Sequence, residues 1–325
     1  MTALMLPDAR TVFERASGLR ILVVGDLMID EWIWGTVTRI SPEAPVPVVA
    51  VADHSFTLGG AGNVANNLRA LRASVLFAGT VGDDSFAAHV RELLRGEQVD
   101  DSGVFTAQDR PTTRKTRVVA HSQQVVRADW ESTATLAPQD RHRLAEFVRE
   151  HAARCDAVIL SDYAKGLLCR EIVEAACGCP LVLADPKPYN IALFAGVTCV
   201  APNVAEAATM TGIAIVDDES LERAGVRLIE MLGCRYAVIT RGEHGMALFG
   251  RGGERLAIPS VARTVYDVSG AGDTVIAVLA LALAAGAPME RAMQLANFAA
   301  GVVVEKLGTA TASPEEILAL VAPAT

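Results

Sequence analysis

Aromatic side chains are scarce, at 5% of 325 residues, while half of the chain is apolar. A core centred on ring stacking is thereby excluded, and Val, Leu, Ile and Ala must fill it, as they do in parallel sheets covered by helices. A basic surplus is missing too: acidic residues outnumber basic ones 38 to 29, for a formal net charge of −9. Sequence-independent nucleic-acid binding needs a basic surface, so that class is excluded and any bound phosphate must meet a local basic site. None of the six cysteines, at 155, 169, 177, 179, 199 and 234, forms a CxxC pair. Buried free thiols in a reducing cytoplasm are expected, with Cys155 and Cys199 in strand-like apolar runs. The most hydrophobic stretch, Thr274 to Met289, is short for a membrane span and contains Gly286 and Pro288, so it reads as a helix buried in a core. Asp8, Arg10, Glu14 and Arg15 are scattered through Met1 to Arg20, where a secretory leader would need an apolar run. A cytoplasmic protein without membrane attachment is expected. No GxxxxGK[ST] occurs, so a P-loop does not hold any nucleotide.

What is present is an alternation. Ile21–Val24, Val75–Ala78, Ala157–Leu160, Leu181–Ala184 and Ala237–Thr240 read as buried strands, and Ala87–Leu94, Arg141–Val148 and Leu221–Met231 carry helical spacing. That order predicts an α/β fold with a doubly wound, mostly parallel sheet flanked by helices, in one domain over residues 1–325. Ligands in such sheets sit beyond the carboxyl ends of the strands. Two segments break the rhythm. Trp32–Val37 and Val46–Val51, joined by Ser41-Pro42-Glu43-Ala44-Pro45, look like paired strands, and Lys115–Ala128 holds another pair around Ser122-Gln123. Together they predict a small antiparallel lid inserted at about 31–52 and 112–130, with Pro45 and Pro47 suiting an edge strand. Its apolar face needs a cover, from substrate, a second subunit or both.

The strongest motif is Asp267-Val268-Ser269-Gly270-Ala271-Gly272-Asp273-Thr274, which runs directly into the apolar helix. Small residues allow close backbone approach, and free amides at a helix start favour an anion. Phosphoryl transfer needs little more than such a cradle and a carboxylate to orient or deprotonate the acceptor hydroxyl, the place Asp273 takes. Alone, the segment is equally a plain turn with a capping carboxylate. Gly59-Gly60-Ala61-Gly62-Asn63 opens a second helix and adds an amide able to grip sugar hydroxyls. Gly60-x-Gly62-x-x-Ala65 with Asp83 downstream is also a form of the dinucleotide fingerprint. Asp53 to Leu58 intervene where that fingerprint wants a strand ending at its first glycine, and a dehydrogenase would leave Gly270–Asp273 without a role.

With both glycine motifs in this order, the chain from about Ile21 to Leu307 resembles the ribokinase or PfkB family of carbohydrate kinases. The resemblance implies a ribokinase-like fold, with Asp273 as catalytic base and Gly270, Ala271 and Gly272 as anion hole. It implies that Asn203 and Glu206, in Pro202-Asn203-Val204-Ala205-Glu206, place the phosphates of ATP and Mg2+, with Glu206 toward the metal. Thr240, Arg241, Gly242 and Gly245 would line the nucleotide, and Asp30 with Gly60, Gly62 and Asn63 the sugar. By themselves Asn203 and Glu206 read as a helix capping box.

Gly25-Asp26-Leu27-Met28-Ile29-Asp30, Ser41–Val48, Ser161-Asp162-Tyr163-Ala164-Lys165-Gly166 and Asp185-Pro186-Lys187 look most like the heptose 7-phosphate kinases. A sugar phosphorylated at its far end needs cations there, and Lys165 and Lys187, each after a strand, are the candidates. The expected partners are a sugar phosphate, ATP and a second copy through the lid. Many relatives carry Thr where Val268 stands, which argues against a monovalent-cation site near Asp267. No HxGH occurs before Thr325, so the kinase step alone is expected. Kinases for other sugars, and a sugar-phosphate sensor without catalysis, are the competing readings.

Overall fold

The computed structural model describes residues 5–121, 123–262 and 264–321. Its strands are β1 Arg20–Gly25, β2 Leu27–Ile40, β3 Pro47–Gly60, β4 Ser74–Gly82, β5 Asp100–Ala107, β6 Thr113–Ala120, β7 Gln123–Trp130, β8 Ala157–Ser161, β9 Val182–Asp185, β10 Cys199–Val200, β11 Tyr236–Thr240, β12 Met246–Gly250 and β13 Arg255–Ile258. Among the described residues, nine of these form one sheet in the order β13-β12-β11-β10-β9-β8-β1-β4-β5. It is parallel from β5 to β11, and β12 and β13 add an antiparallel edge.

Helices cover both faces, and β1 shows how the sequence sorts them. Ile21 and Val23 point into one apolar cluster with helices Ala61–Ala70, Ala271–Ala284 and Met289–Val303. Leu22 and Val24 point into the other, with helices Pro138–Ala152, Arg170–Ala176 and Asp218–Leu232. A strand with apolar residues at both parities must be buried on both faces. The helix Ala271–Ala284 is buried from Asp273 to Ala282, as a segment apolar all round must be. No helix of the described residues is long and apolar enough to cross a membrane.

The chain runs from β1 to β4 on one side and reaches β8 on the other, so the order reverses between β1 and β8. That reversal opens a crevice at the carboxyl ends of these two strands. Gly25 closes β1 there, and a Cβ on it would lie 2.2 Å from the Ser161 carbonyl oxygen of β8. Gly25→Ala should therefore lower unfolding stability by ~1–3 kcal/mol, as overpacking of a filled core does. A urea midpoint matching the parent protein's would show that this approach is not as tight as described.

The lid is a four-stranded sheet in the order β3-β2-β6-β7. It consists of two antiparallel hairpins, β2/β3 and β6/β7, joined by parallel pairing of β2 with β6. Its first hairpin is longer than the alternation at 31–52 indicates, running from Leu27 to Gly60. Of the extra residues, Leu27–Ile29 and Leu58–Gly60 are buried, which hides the alternating pattern at the lid's root, while Asp53–Thr57 are exposed or half-buried. Edge strand β3 begins at Pro47 as expected; Ser122 lies outside the described residues. Cys155, Cys179, Cys199 and Cys234 are buried free thiols. Cys155 sits in the turn before β8 rather than in a strand. Cys169 is half-buried and Cys177 is exposed, because they flank the short helix Arg170–Ala176.

Candidate active site

Gly270 starts the helix that carries Asp273. Its φ is +78° and a Cβ there would meet Asn63 Nδ2 at 2.6 Å, so both conformation and space require glycine. One turn later Asp273 is buried, and its two carboxylate oxygens accept hydrogen bonds from Asn63 Nδ2 at 2.8 Å and the Tyr163 hydroxyl at 2.7 Å. Asn63 comes from the second glycine motif. Asn67 Nδ2 donates to the Asn63 carbonyl at 2.9 Å, and the Thr274 hydroxyl donates to Asn67 Oδ1 at 2.8 Å. The two motifs the sequence singles out are thus stitched together across about two hundred residues.

Burial pushes the Asp273 carboxyl up to about 6, against the opposing pull of Asn63, Tyr163 and the Lys187 ammonium. A proton acceptor in this range is ionised at neutral pH yet basic enough to take a proton from an alcohol in flight. Burial, then the charge of Asp273, pushes the Tyr163 phenol well above its ordinary value, so it stays a donor. Tyr163→Phe removes that donor and lets the Asp273 carboxyl rise further. The acid limb of kcat/KM, expected near 6 in the parent protein from the Asp273 carboxyl, should shift to higher pH, and turnover at pH 7 should fall about 3- to 10-fold, the worth of one hydrogen bond. An unmoved limb would detach Tyr163 from the base.

Two carboxylates that the sequence reading passed over hold the loops in place. Asp26, just after β1, accepts backbone N–H bonds from Tyr163 at 2.8 Å, Lys165 at 3.1 Å and Leu167 at 3.3 Å. Asp162, just after β8, accepts from the backbone of Lys187 at 3.0 Å and from Asn190 Nδ2 at 3.0 Å. Tyr163 and Lys187 are therefore positioned from the strand ends at the topological switch. In the sequence, Asp26 and Asp162 each directly follow a strand and stand within segments that carry the family resemblance, without a role assigned to them there.

Lys187 lies among acids. Its ammonium bonds Glu206 and stands 5.6 Å from the Tyr163 ring centroid. Burial alone would lower its pKa, but Asp185, Glu206 and Asp162 reverse that and raise it. The buried Asp185 carboxyl is pushed up to about 8 by burial, with Lys187 as its counter-charge and Asp273 and Glu206 adding repulsion. Tyr163, Lys187, Glu206, Thr240, Gly272 and Asp273 bound a cleft of about 140 Å³. Lys187 thus lines the same cleft as Asp273.

Of the residues expected to meet the nucleotide, Asn203 and Glu206 form the capping box, with Glu206 N–H donating to Asn203 Oδ1 at 2.9 Å and Asn203 N–H to Glu206 Oε2 at 3.0 Å. A one-residue parallel bridge joins Asn203 to Thr240, so these two motifs are neighbours. A second cleft of about 430 Å³ opens beside them, bordered by Asn203, Thr240, Arg241 and Gly242, with Arg241 held by Asp218 at 3.0 Å. Gly245 has φ +79°, and a Cβ would be 2.0 Å from the Ile258 carbonyl oxygen.

Of the residues expected to meet the sugar, Asp30 is buried on β2 and ion-paired with Arg117 of β6, and a Cβ on Gly59 would reach Asp30 Oδ2 at 2.4 Å. Gly60 turns the chain from lid to helix at φ +55°, and Gly62 packs against Leu27 and Leu58. Lys165 does not border the cleft; its ammonium bonds Glu131 at 2.7 Å. Asp267 accepts backbone N–H bonds from Ser269 and Gly308, each at 2.9 Å, and these bonds, after opposing burial, hold its carboxyl below the usual range. Val268 gives that loop no side-chain oxygen.

Asp185, Glu206 and Asp273 around one small cleft are the donor chemistry of a hard divalent cation. No group of three or more His, Cys, Asp or Glu among the described residues is placed to hold a metal ion by itself.

The pattern described as pfkB family carbohydrate kinase matches residues 19–316. Bifunctional protein HldE of Geobacter sulfurreducens is 45% identical over 316 residues, covering 96% of this chain and 64% of that protein. Its namesake in Desulfatibacillum aliphaticivorans is 47% identical over 309 residues, covering 93% and 63%. The chain thus spans less than two thirds of the length of these relatives. Arabidopsis thaliana ribokinase complexed with ribose and ATP aligns with a TM-score of 0.73 at 20% identity, over 93% of this chain and 98% of that one. Phosphofructokinase-2 from Escherichia coli in complex with potassium aligns with a TM-score of 0.78 at 18% identity, over the same shares. These solved structures establish a ribokinase-like fold.

Proposed function

Because this chain belongs to the pfkB family of carbohydrate kinases, we propose that it phosphorylates the anomeric hydroxyl of D-glycero-β-D-manno-heptose 7-phosphate with ATP. The product is the 1,7-bisphosphate, on the route to ADP-heptose and lipopolysaccharide. The observation that carries the reading is the buried Asp273 carboxylate, held by Asn63 and Tyr163 at a helix start and facing Lys187 across a small cleft. The heptose assignment rests on the resemblance of the segments at 25–30, 41–48, 161–166 and 185–187 and on the curated relatives at about 45% identity.

Asp273 takes the proton of the sugar's C1 hydroxyl. The oxygen attacks the terminal phosphorus in line, the bond to ADP breaks, and ADP leaves. The amides of Gly270, Ala271 and Gly272, together with the Lys187 ammonium, meet the charge on the moving phosphoryl group. Lys187 is therefore assigned to that group rather than to the phosphate the sugar brings. Asn203, Thr240, Arg241, Gly242 and Gly245 line the nucleotide. Glu206 with Asp185 would hold Mg2+, which when bound neutralises negative charge on the phosphates. Asp30 and Asn63 grip the sugar.

A cytoplasmic homodimer is part of the proposal. Trp34, Val51 and Val126 leave large apolar side chains exposed on the lid, the kind of surface a second subunit covers. Sedimentation at twice the chain mass is expected, and a monomer would remove this element. For activity, the test is ADP release with magnesium-ATP and a panel of the α and β anomers of heptose 7-phosphate, ribose, fructose and hexose phosphates. Turnover with the β-heptose phosphate alone is the expected result. Turnover with another sugar would discard the heptose assignment, and tight binding without ADP would favour a sensor.

A further inference from the structure

Two lysines, one on lid strand β6 and one in the loop after β8, converge on one carboxylate outside the cleft already described. Lys115 of β6 lies in register with Asp30 of β2, and its ammonium bonds Asp129 at 3.0 Å and Glu131 at 3.3 Å. Lys165, in the loop after β8, bonds Glu131 at 2.7 Å. Each lysine side chain is only 17% exposed. Both are tied to the acceptor side of the site. Lys115 is one strand away from the sugar-facing Asp30, and Lys165 is two residues beyond Tyr163, with its own N–H fixed by Asp26.

The two acids differ in how firmly they are held. Asp129 lies within β7 and is clamped by the guanidinium of Arg127 at 2.9 and 3.1 Å. Glu131 follows the end of β7, on an irregular stretch leading to helix Pro138–Ala152, and its only described ionic partners are the two lysines. Such an anion can swing away while the cations stay.

Resting on the sugar-phosphate reading above, we propose that Lys115 and Lys165 form the subsite for the phosphate the acceptor already carries, and that Glu131 fills it until that phosphate displaces it. An ammonium pair supplies point charges to a dianion without demanding one orientation. Removing the resident carboxylate, in turn, relieves the dianion of a competitor for the same donors.

The test compares KM and kcat for heptose 7-phosphate, for the same heptose without its phosphate, and for ATP, across the parent protein, Lys115→Met, Lys165→Met and Glu131→Gln. Each lysine change should raise KM for the phosphorylated sugar about ten- to a hundredfold, the worth of a charge-assisted hydrogen bond, and should leave KM for ATP and for the bare sugar in place. Glu131→Gln should move KM for the phosphorylated sugar down and make inorganic phosphate a stronger competitor. Loss of folding cannot mimic that direction. Equal shifts for both sugars, or a rise in KM with Glu131→Gln, would overturn the subsite while leaving the kinase reading intact. A parent protein that turns over only unphosphorylated sugars would remove the sugar-phosphate reading and the subsite with it.

Discussion

Asp273→Asn should leave a folded protein whose kcat is lower by about 10³-fold, inside the range that a positioned general base contributes. The variant keeps the site's hydrogen bonds. Its amide oxygen accepts from Asn63 and its amide nitrogen donates to Tyr163, whose hydroxyl can reverse its role. Stability should rise at neutral pH. The folded carboxyl sits at about 6 against an ordinary 3.8, so the fold disfavours the ionised form. Its stabilising protonation is complete below 3.8 and lost as pH climbs through about 6. Above that, the buried charge costs on the order of 3 kcal/mol at most. Urea midpoints should favour the variant at pH 7.5 and converge with the parent protein near pH 4. An active Asp273→Asn enzyme would end the assignment of Asp273 as base.

Lys187→Met should lower kcat/KM for ATP by about 10²–10³-fold, comparable to loss of one preorganised donor to a transition-state anion. It should also displace the pH profile. Lys187 counters the burial of Asp273 and Asp185, and without it both carboxyls rise further, so the acid limb moves above 6. The folded state favours the lysine's charge, a stabilisation present below its ordinary value of 10.5 and lost at higher pH. Its removal should destabilise the protein most above about pH 8, where Asp185 and Asp273 are both charged, and least near pH 5, where both are protonated. A fall in activity with an unshifted limb would separate Lys187 from the base and leave it a phosphate contact only.

The parallel centre of the sheet was legible because β1, β4, β8, β9 and β11 are buried on both faces and therefore read as continuous apolar runs. β5 was not, since Asp100, Asp101, Ser102 and Gly103 interrupt it, and β10 is two residues long. The lid's alternation marked its outer half but faded where Leu27–Ile29 and Leu58–Gly60 pass under the body. At the site, the glycine turns announced themselves, because close backbone approach demands small residues. Tyr163 did not, because a tyrosine after a strand gains its meaning only from Asp273, 110 residues away. Arg117 likewise depends on the parallel pairing of β2 with β6, which no local pattern encodes. Lys187 was noticed for its charge, but the side of the crevice it serves is decided by Asp162 and Glu206.

The central claim is that this chain moves a phosphoryl group onto the anomeric oxygen of a sugar that already carries a phosphate. Phosphorus NMR of the reaction with magnesium-ATP and β-heptose 7-phosphate tests it most directly. The account predicts a new resonance coupled to the anomeric proton, equal in amount to the ADP formed, with the original phosphate signal intact and product formation about 10³-fold slower with Asp273→Asn. Inorganic phosphate as the only product, or a new phosphate coupled to any other proton of the sugar, would contradict it.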